Sequence, residues 1–202
     1  MAGARCFPII VAAALALAPA ARAAVLDPAA SQIDALDSAL VATMKAAKAE
    51  SVEHRYRALD PAVERAYDFA AMTRYAVGPR WAAFTATQQQ ALIAALERLT
   101  VATYAQEISG YSGQRFELDP NVVTRGPDKV ATTHLISPGE APVTIAYRMR
   151  EAGGVWKIID VFYNGAISQL TTRRSDFTSL VDQGGAPALI AHLNALADKA
   201  MK

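Results

Sequence analysis

Few residues in this chain could do chemistry, and they are scattered. The three histidines, His54, His134 and His192, lie far apart. None has another histidine three or four residues away, the spacing by which a helix presents two imidazoles to one metal ion. His54 has Glu50 and Glu53 beside it, which more often makes a solvated helix face than a metal site. No G-x-S-x-G turn, P-loop or G-x-G-x-x-G cradle occurs. One carboxylate stands out. In residues 155–162, strand alternation places Trp156, Ile158, Asp160 and Phe162 on one face. A carboxyl on an apolar face has a raised pKa and can act as a base. A small cone-shaped α+β enzyme could pair Asp160 with Tyr104 or Tyr147. The plainer role is a structural hydrogen bond near the strand end. It is preferred, because no paired acid or oxyanion donor accompanies Asp160. The sequence therefore offers no catalytic residue, no metal site and no cofactor site.

Two groups remain that could bind. Arg173 and Arg174 could form a docking surface for a membrane partner or touch a lipid head group; two solvated arginines at a helix start are the ordinary alternative. The set Phe69, Met72, Tyr75, Trp81, Phe84, Tyr104, Tyr111, Phe116, Tyr147, Trp156 and Phe162 makes either a packed core or a lined cavity, and composition does not separate the two.

The elements that must position these residues divide the chain in two. The first half is helical. Asp27-Pro28 reads as an N-cap with proline at the first helical position, and Ile33, Leu36, Leu40, Val41 and Met44 follow at helical spacing. Ser51 starts a second helix and Asp60-Pro61 a third, which Val77-Gly78-Pro79 breaks. Thr85 with Gln88 forms a capping box opening the longest helix, to about Ser109, with the stripe Leu92, Leu96, Leu99 and Thr103. The second half changes period. Residues 115–123, 129–136, 143–150 and 155–162 read as strands, and Val143, Ile145, Tyr147 and Met149 alternate with polar neighbours. Pro138-Gly139 and Gly153-Gly154 are turns, and connections this short force antiparallel pairing. Two short helices close the chain. The fold class is α+β, with helices over one face of a four-stranded antiparallel sheet.

Composition narrows the setting. Residues 7–21 form an apolar run after Arg5, too short to span a membrane comfortably, and Ala21-Arg22-Ala23 is a small-x-small cleavage signal. Residues 1–23 read as a signal peptide and 24–202 as a single exported domain. Cleavage removes Cys6, the only cysteine, so the mature chain has no disulfide. It also removes two arginines, leaving 18 basic against 19 acidic side chains, a net charge of −1. A near-neutral chain gives no electrostatic case for nucleic acid.

The end of the chain carries a resemblance. Residues 155–193 place a Trp156-Lys157-Ile158 strand ending in Asp160-Val161 before a glycine turn, then Arg174-Ser175-Asp176-Phe177 and a final Leu189-Ile190 helix. With Tyr67-Asp68-Phe69-Ala70-Ala71-Met72-Thr73-Arg74, Gly78-Pro79-Arg80-Trp81 and Thr103-Tyr104-Ala105, this order resembles the periplasmic lipid carriers of the toluene-tolerance, or MlaC-like, family. Tyr111-Ser112-Gly113-Gln114-Arg115-Phe116 and Gly184-Gly185 resemble the hopanoid-associated HpnM branch. Tyr67 stands where the family has phenylalanine. The resemblance implies a monomeric, non-enzymatic protein of the Gram-negative periplasm. It implies a curved, cone-like sheet with an apolar cavity that takes the acyl chains of a phospholipid, or a hopanoid. It further implies partners in an inner-membrane ABC transporter complex and an outer-membrane component. On that basis Met72, Trp81, Leu96, Tyr104, Tyr147 and Trp156 are expected to line the cavity, and Arg173 and Arg174 to meet a partner. The rivals are an Asp160 enzyme and a periplasmic adaptor without ligand.

Overall fold

The helical half begins as the caps require. In the computed structural model, which describes residues 26–202 except Ala166, α1 spans Pro28–Ala46, and the Asp27 carboxylate accepts the Ala29 N–H at 2.9 Å. The signal peptide expected at residues 1–23 lies outside the described residues. Ile33, Leu36 and Leu40 are buried on one stripe of α1. After a 3-10 turn at Ala47–Ala49, α2 runs over Val52–Ala66 from a Ser51 cap.

Here the structure departs from the expected pair of helices. Helix α2 continues straight through Asp60-Pro61. Pro61 and Arg57 are both exposed, so the Arg57 carbonyl left without an N–H partner can bond water. Arg55, Leu59, Val63 and Ala66 hold one buried stripe across the proline. The third helix starts later. Asp68 caps α3, Phe69–Val77, by accepting the Ala71 N–H at 2.8 Å. Gly78, at φ +68°, ends it. A 3-10 turn, Gly78–Ala83, leads to α4, Ala86–Glu107, whose capping box of Thr85 and Gln88 is fully formed.

Among the described residues the sheet is antiparallel and has six strands rather than four, within the expected α+β class. The strands are β1 Arg115–Leu118, β2 Val123–Arg125, β3 Asp128–Ile136, β4 Val143–Ala152, β5 Val155–Tyr163 and β6 Ile167–Ser168. Strands β1 and β2 both pair with β3, on one edge. The single strand expected over residues 115–123 is split at Pro120, which has no N–H for the ladder, while the Asp119 carboxylate turns the chain by accepting the Asn121 N–H. Strand β6 arises because Asn164-Gly165 folds the chain back onto β5.

Strand β4 alternates as expected, with Ile145, Tyr147 and Met149 buried towards the helices. Strand β5 does not. Arg148 pairs with Asp160 and Met149 with Ile158, so Ile159 is the extra residue of a bulge. The bulge reverses the parity of the strand. Ile158 and Val161 both join the core beneath the helices, whereas Asp160 falls on the Arg148 face. The expectation that Asp160 and Phe162 share a face with Ile158 is thereby corrected. The last element, α5, covers Gln169–Ala200 and is broken at Gly184 and Gly185 into the two helices expected. Helices α1, α2, α3 and α5 pack on the sheet, and α4 lies against α2, α3 and α5.

Candidate functional site

Two clefts open between the helices and the sheet. A cavity of about 290 Å³ opens between Leu40 and Met44 of α1, Tyr104 of α4, and Leu135, Ile145 and Tyr147 of the sheet. A second, of about 320 Å³, lies between Tyr67, Met72 of α3, Thr103 of α4, Val161 of β5 and Arg173 of α5. Tyr104, Glu107 and Tyr163 line both, so the two adjoin. Each is near the lower end of the size range for small-molecule sites.

The walls are made by strand parity and helix stripes. Val143, Ile145 and Tyr147 stand on one face of β4 and look towards the end of α4. The β5 bulge brings Val161 and Tyr163 to the same side. Tyr67, in the break between α2 and α3, is fixed from both ends. Its backbone bridges Ile158, and its hydroxyl meets that of Tyr104 at 2.6 Å. Tyr67 also stacks on Phe69 at 5.4 Å between ring centroids. Burial pushes the phenols of Tyr67, Tyr104 and Tyr147 well above their ordinary value, so all three stay neutral donors.

Two charged side chains reach this otherwise neutral space. Burial pushes the Glu107 carboxyl up. Burial lowers the Arg173 guanidinium from its ordinary value, an effect opposed by Tyr67, Tyr163, Tyr104 and Asp176. The arginine stays protonated, as arginines do in proteins. Among the described residues no carboxylate lies within ion-pair distance of it.

Of the residues singled out in the sequence, Met72, Tyr104 and Tyr147 line the cavities. Leu96 is buried in the body of α4. Trp81 sits on the 3-10 turn, where its carbonyl accepts from Gln89 at 3.0 Å. Trp156 is half-buried beneath the Lys129 ammonium, 4.6 Å from its ring centroid. The arginine pair points apart. Arg173 enters the second cavity, while Arg174 is exposed and lies over Gly78. Tyr163 and Val161 were not singled out; their signal is the three-residue step from Ile158 to Val161, which strict alternation hides.

Asp160 has the surroundings of an anchor. Its carboxylate accepts from Ser168 Oγ at 2.7 Å, from the Leu170 N–H at 3.0 Å and from the Val161 N–H at 2.9 Å. It thus ties β5 to the first turn of α5. Among the described residues no group of three histidine, cysteine or acidic side chains could hold a metal ion, and no helix is long and apolar enough to cross a membrane.

This arrangement of helices over an antiparallel sheet occurs in known proteins. The family model described as MlaC protein matches residues 34–195. The chain belongs to the MlaC family. A solved structure similar to this MlaC-family chain is that of a phospholipid-binding protein from Ralstonia solanacearum in complex with a phospholipid. The two share 22% identity and superpose with a TM-score of 0.74, over 86% of this chain and 99% of that one. At that identity the likeness establishes the fold. No curated protein matches this chain.

Proposed function

We propose that this protein is a periplasmic lipid carrier. It holds the acyl chains of a phospholipid, or the ring system of a hopanoid, in the adjoining cavities and passes the lipid, as a monomer, between an ABC-transporter-linked complex of the inner membrane and a component of the outer membrane. The observation that carries the reading is the unfilled space between α1, α4 and the inner sheet face, walled by Leu40, Met44, Ile145 and Val161. Apolar surface left open to water in such a cleft favours covering by an acyl chain. Nature has left this one open and rimmed it with phenols. Each methylene taken from water into it stabilises the complex by about 0.8 kcal/mol, so apolar walls alone suffice for tight holding. Membership of the MlaC family and the fold shared with a protein solved with phospholipid bound support the same reading.

No covalent step is needed for this function, and Asp160, the one carboxylate the sequence offered as a base, has its oxygens engaged by Ser168, Leu170 and Val161. Native mass spectrometry of protein purified from the periplasm without detergent should show one bound lipid. An empty protein that also takes up no lipid from phospholipid or hopanoid-containing vesicles would overturn the reading.

A further inference from the structure

Resting on the carrier reading, we propose that Arg173 is the receptor for the phosphodiester of a lipid head group, with the acyl chains lying in the cavities beside it. The geometry is that of a cation kept free for a ligand. Arg173 stands one turn into α5 and lines the second cavity beside Tyr67, Tyr104 and Tyr163. None of the seven ion pairs among the described residues includes it, and it donates no hydrogen bond to any described carbonyl or side chain in the way that Arg55, Arg98 or Arg150 does. Its N–H groups are nevertheless not sealed off, for among the described residues the one buried polar side-chain atom without a partner is elsewhere, at Asp37. Five donors in a planar fork, half-buried and facing the cavity, match an oxyanion better than they match water.

The neighbours narrow the ligand. Tyr163 lines the same space and can donate a second hydrogen bond to a phosphate oxygen. The walls beyond it, Met72 and Val161, are apolar, which suits a phosphate that is attached to hydrocarbon. Glu107 lines both cavities, and in its ionised form it opposes any anion there, a doubly charged one more strongly than a singly charged one. A phosphodiester carries a single negative charge, whereas a phosphate monoester carries up to two near neutral pH. The site therefore favours diester phospholipids over phosphatidic acid, and any phospholipid over a neutral lipid, including a hopanoid without an acidic group.

The test compares uptake from vesicles of phosphatidylglycerol with uptake of a diacylglycerol bearing the same chains, for the wild type, Arg173→Gln and Arg173→Lys. A charge-assisted hydrogen bond gives the wild type a preference for phospholipid on the order of tenfold or more. Arg173→Gln should bring that ratio close to one, and Arg173→Lys, which keeps the charge without the fork, should leave it between the two. Thermal melts check that each variant is folded. A ratio that Arg173→Gln leaves as in the wild type would overturn the assignment while the carrier reading stands. Failure of the wild type to take up either lipid strikes the carrier reading itself. Inorganic phosphate and glycerol 3-phosphate form the last arm. Release of bound lipid by either one at equal concentration would mean a site for free phosphate and would likewise overturn the proposal.

Discussion

Replacing Asp37 by asparagine should change stability little at acid pH and raise it at alkaline pH. Asp37 faces the sheet from α1 and is 5% exposed. One oxygen accepts from Thr133 Oγ1 at 2.8 Å, and the other, Oδ1, has no partner among the described residues. Burial, reinforced by Asp34 and only partly offset by Thr133, pushes its pKa up to about 7 from an ordinary 3.8. Below pH 3.8 both folded and unfolded chains carry the proton, and the group costs nothing. Between 3.8 and about 7 the unfolded chain ionises while the folded one does not, so stability falls as pH rises, by about 1.4 kcal/mol per unit. Above about 7 the fall is complete, at about 4 kcal/mol. The side chain in Asp37→Asn cannot ionise. It keeps an acceptor for Thr133 and puts an amide N–H where the acid form has its O–H, so the two proteins should be similar near pH ~4. At pH ~8 the variant should be more stable by up to about 4 kcal/mol, or roughly 10 °C in Tm for a domain of this size. Urea melts followed by the fluorescence of Trp81 and Trp156, from about pH 4 to about pH 8.5, measure the difference, in which every other titrating group cancels. Stability curves that run parallel across that range would refute the account of Asp37.

Other perturbations have definite outcomes. Arg55 is 7% exposed and donates to the carbonyls of Ala105 at 2.8 Å and Glu50 at 2.7 Å; Arg55→Leu strips the end of α4 of a charged donor and should cost about 3 kcal/mol by urea denaturation. Gly185 has φ +65° and ψ −161°, a region nearly closed to other residues; Gly185→Ala should cost about 1–3 kcal/mol and show it in thermal melts. Ile145 lines the first cavity; Ile145→Trp should fill part of it, lowering the bound-lipid fraction seen by native mass spectrometry while the melting temperature holds within a few degrees.

The helical half was the more legible part of the chain. Asp27-Pro28, and Thr85 with Gln88, each carry a local backbone instruction that the structure follows. Asp60-Pro61 carries an equally good local signal, yet the buried stripe from Arg55 to Ala66 keeps the helix whole, because tertiary packing outweighs one missing hydrogen bond on an exposed face. In the sheet, alternation located β4 and the inward face of Tyr147. It failed in β5, where the Ile158-Ile159 doublet hides one extra residue, and the parity of everything after it changes. The site inherits that pattern. Tyr104 and Tyr147 reach the cavity by regular helix and strand geometry. Arg173 and Tyr163 reach it only through the bulge and the hairpin turn, which have no period to read.

The bulge at Ile159 bears on the proposed choice of cargo. By turning Asp160 away from Ile158, it puts that carboxylate where Ser168 and Leu170 can grip it. That grip sets where α5 begins, and Arg173 rides one turn further along the same helix. The guanidinium is thus aimed by a strand residue that lines neither cavity. If Arg173 holds the head group as proposed, discrimination depends on the register of the fifth strand, and lineages that gain or lose the extra residue should differ in what they carry before they differ in whether they fold.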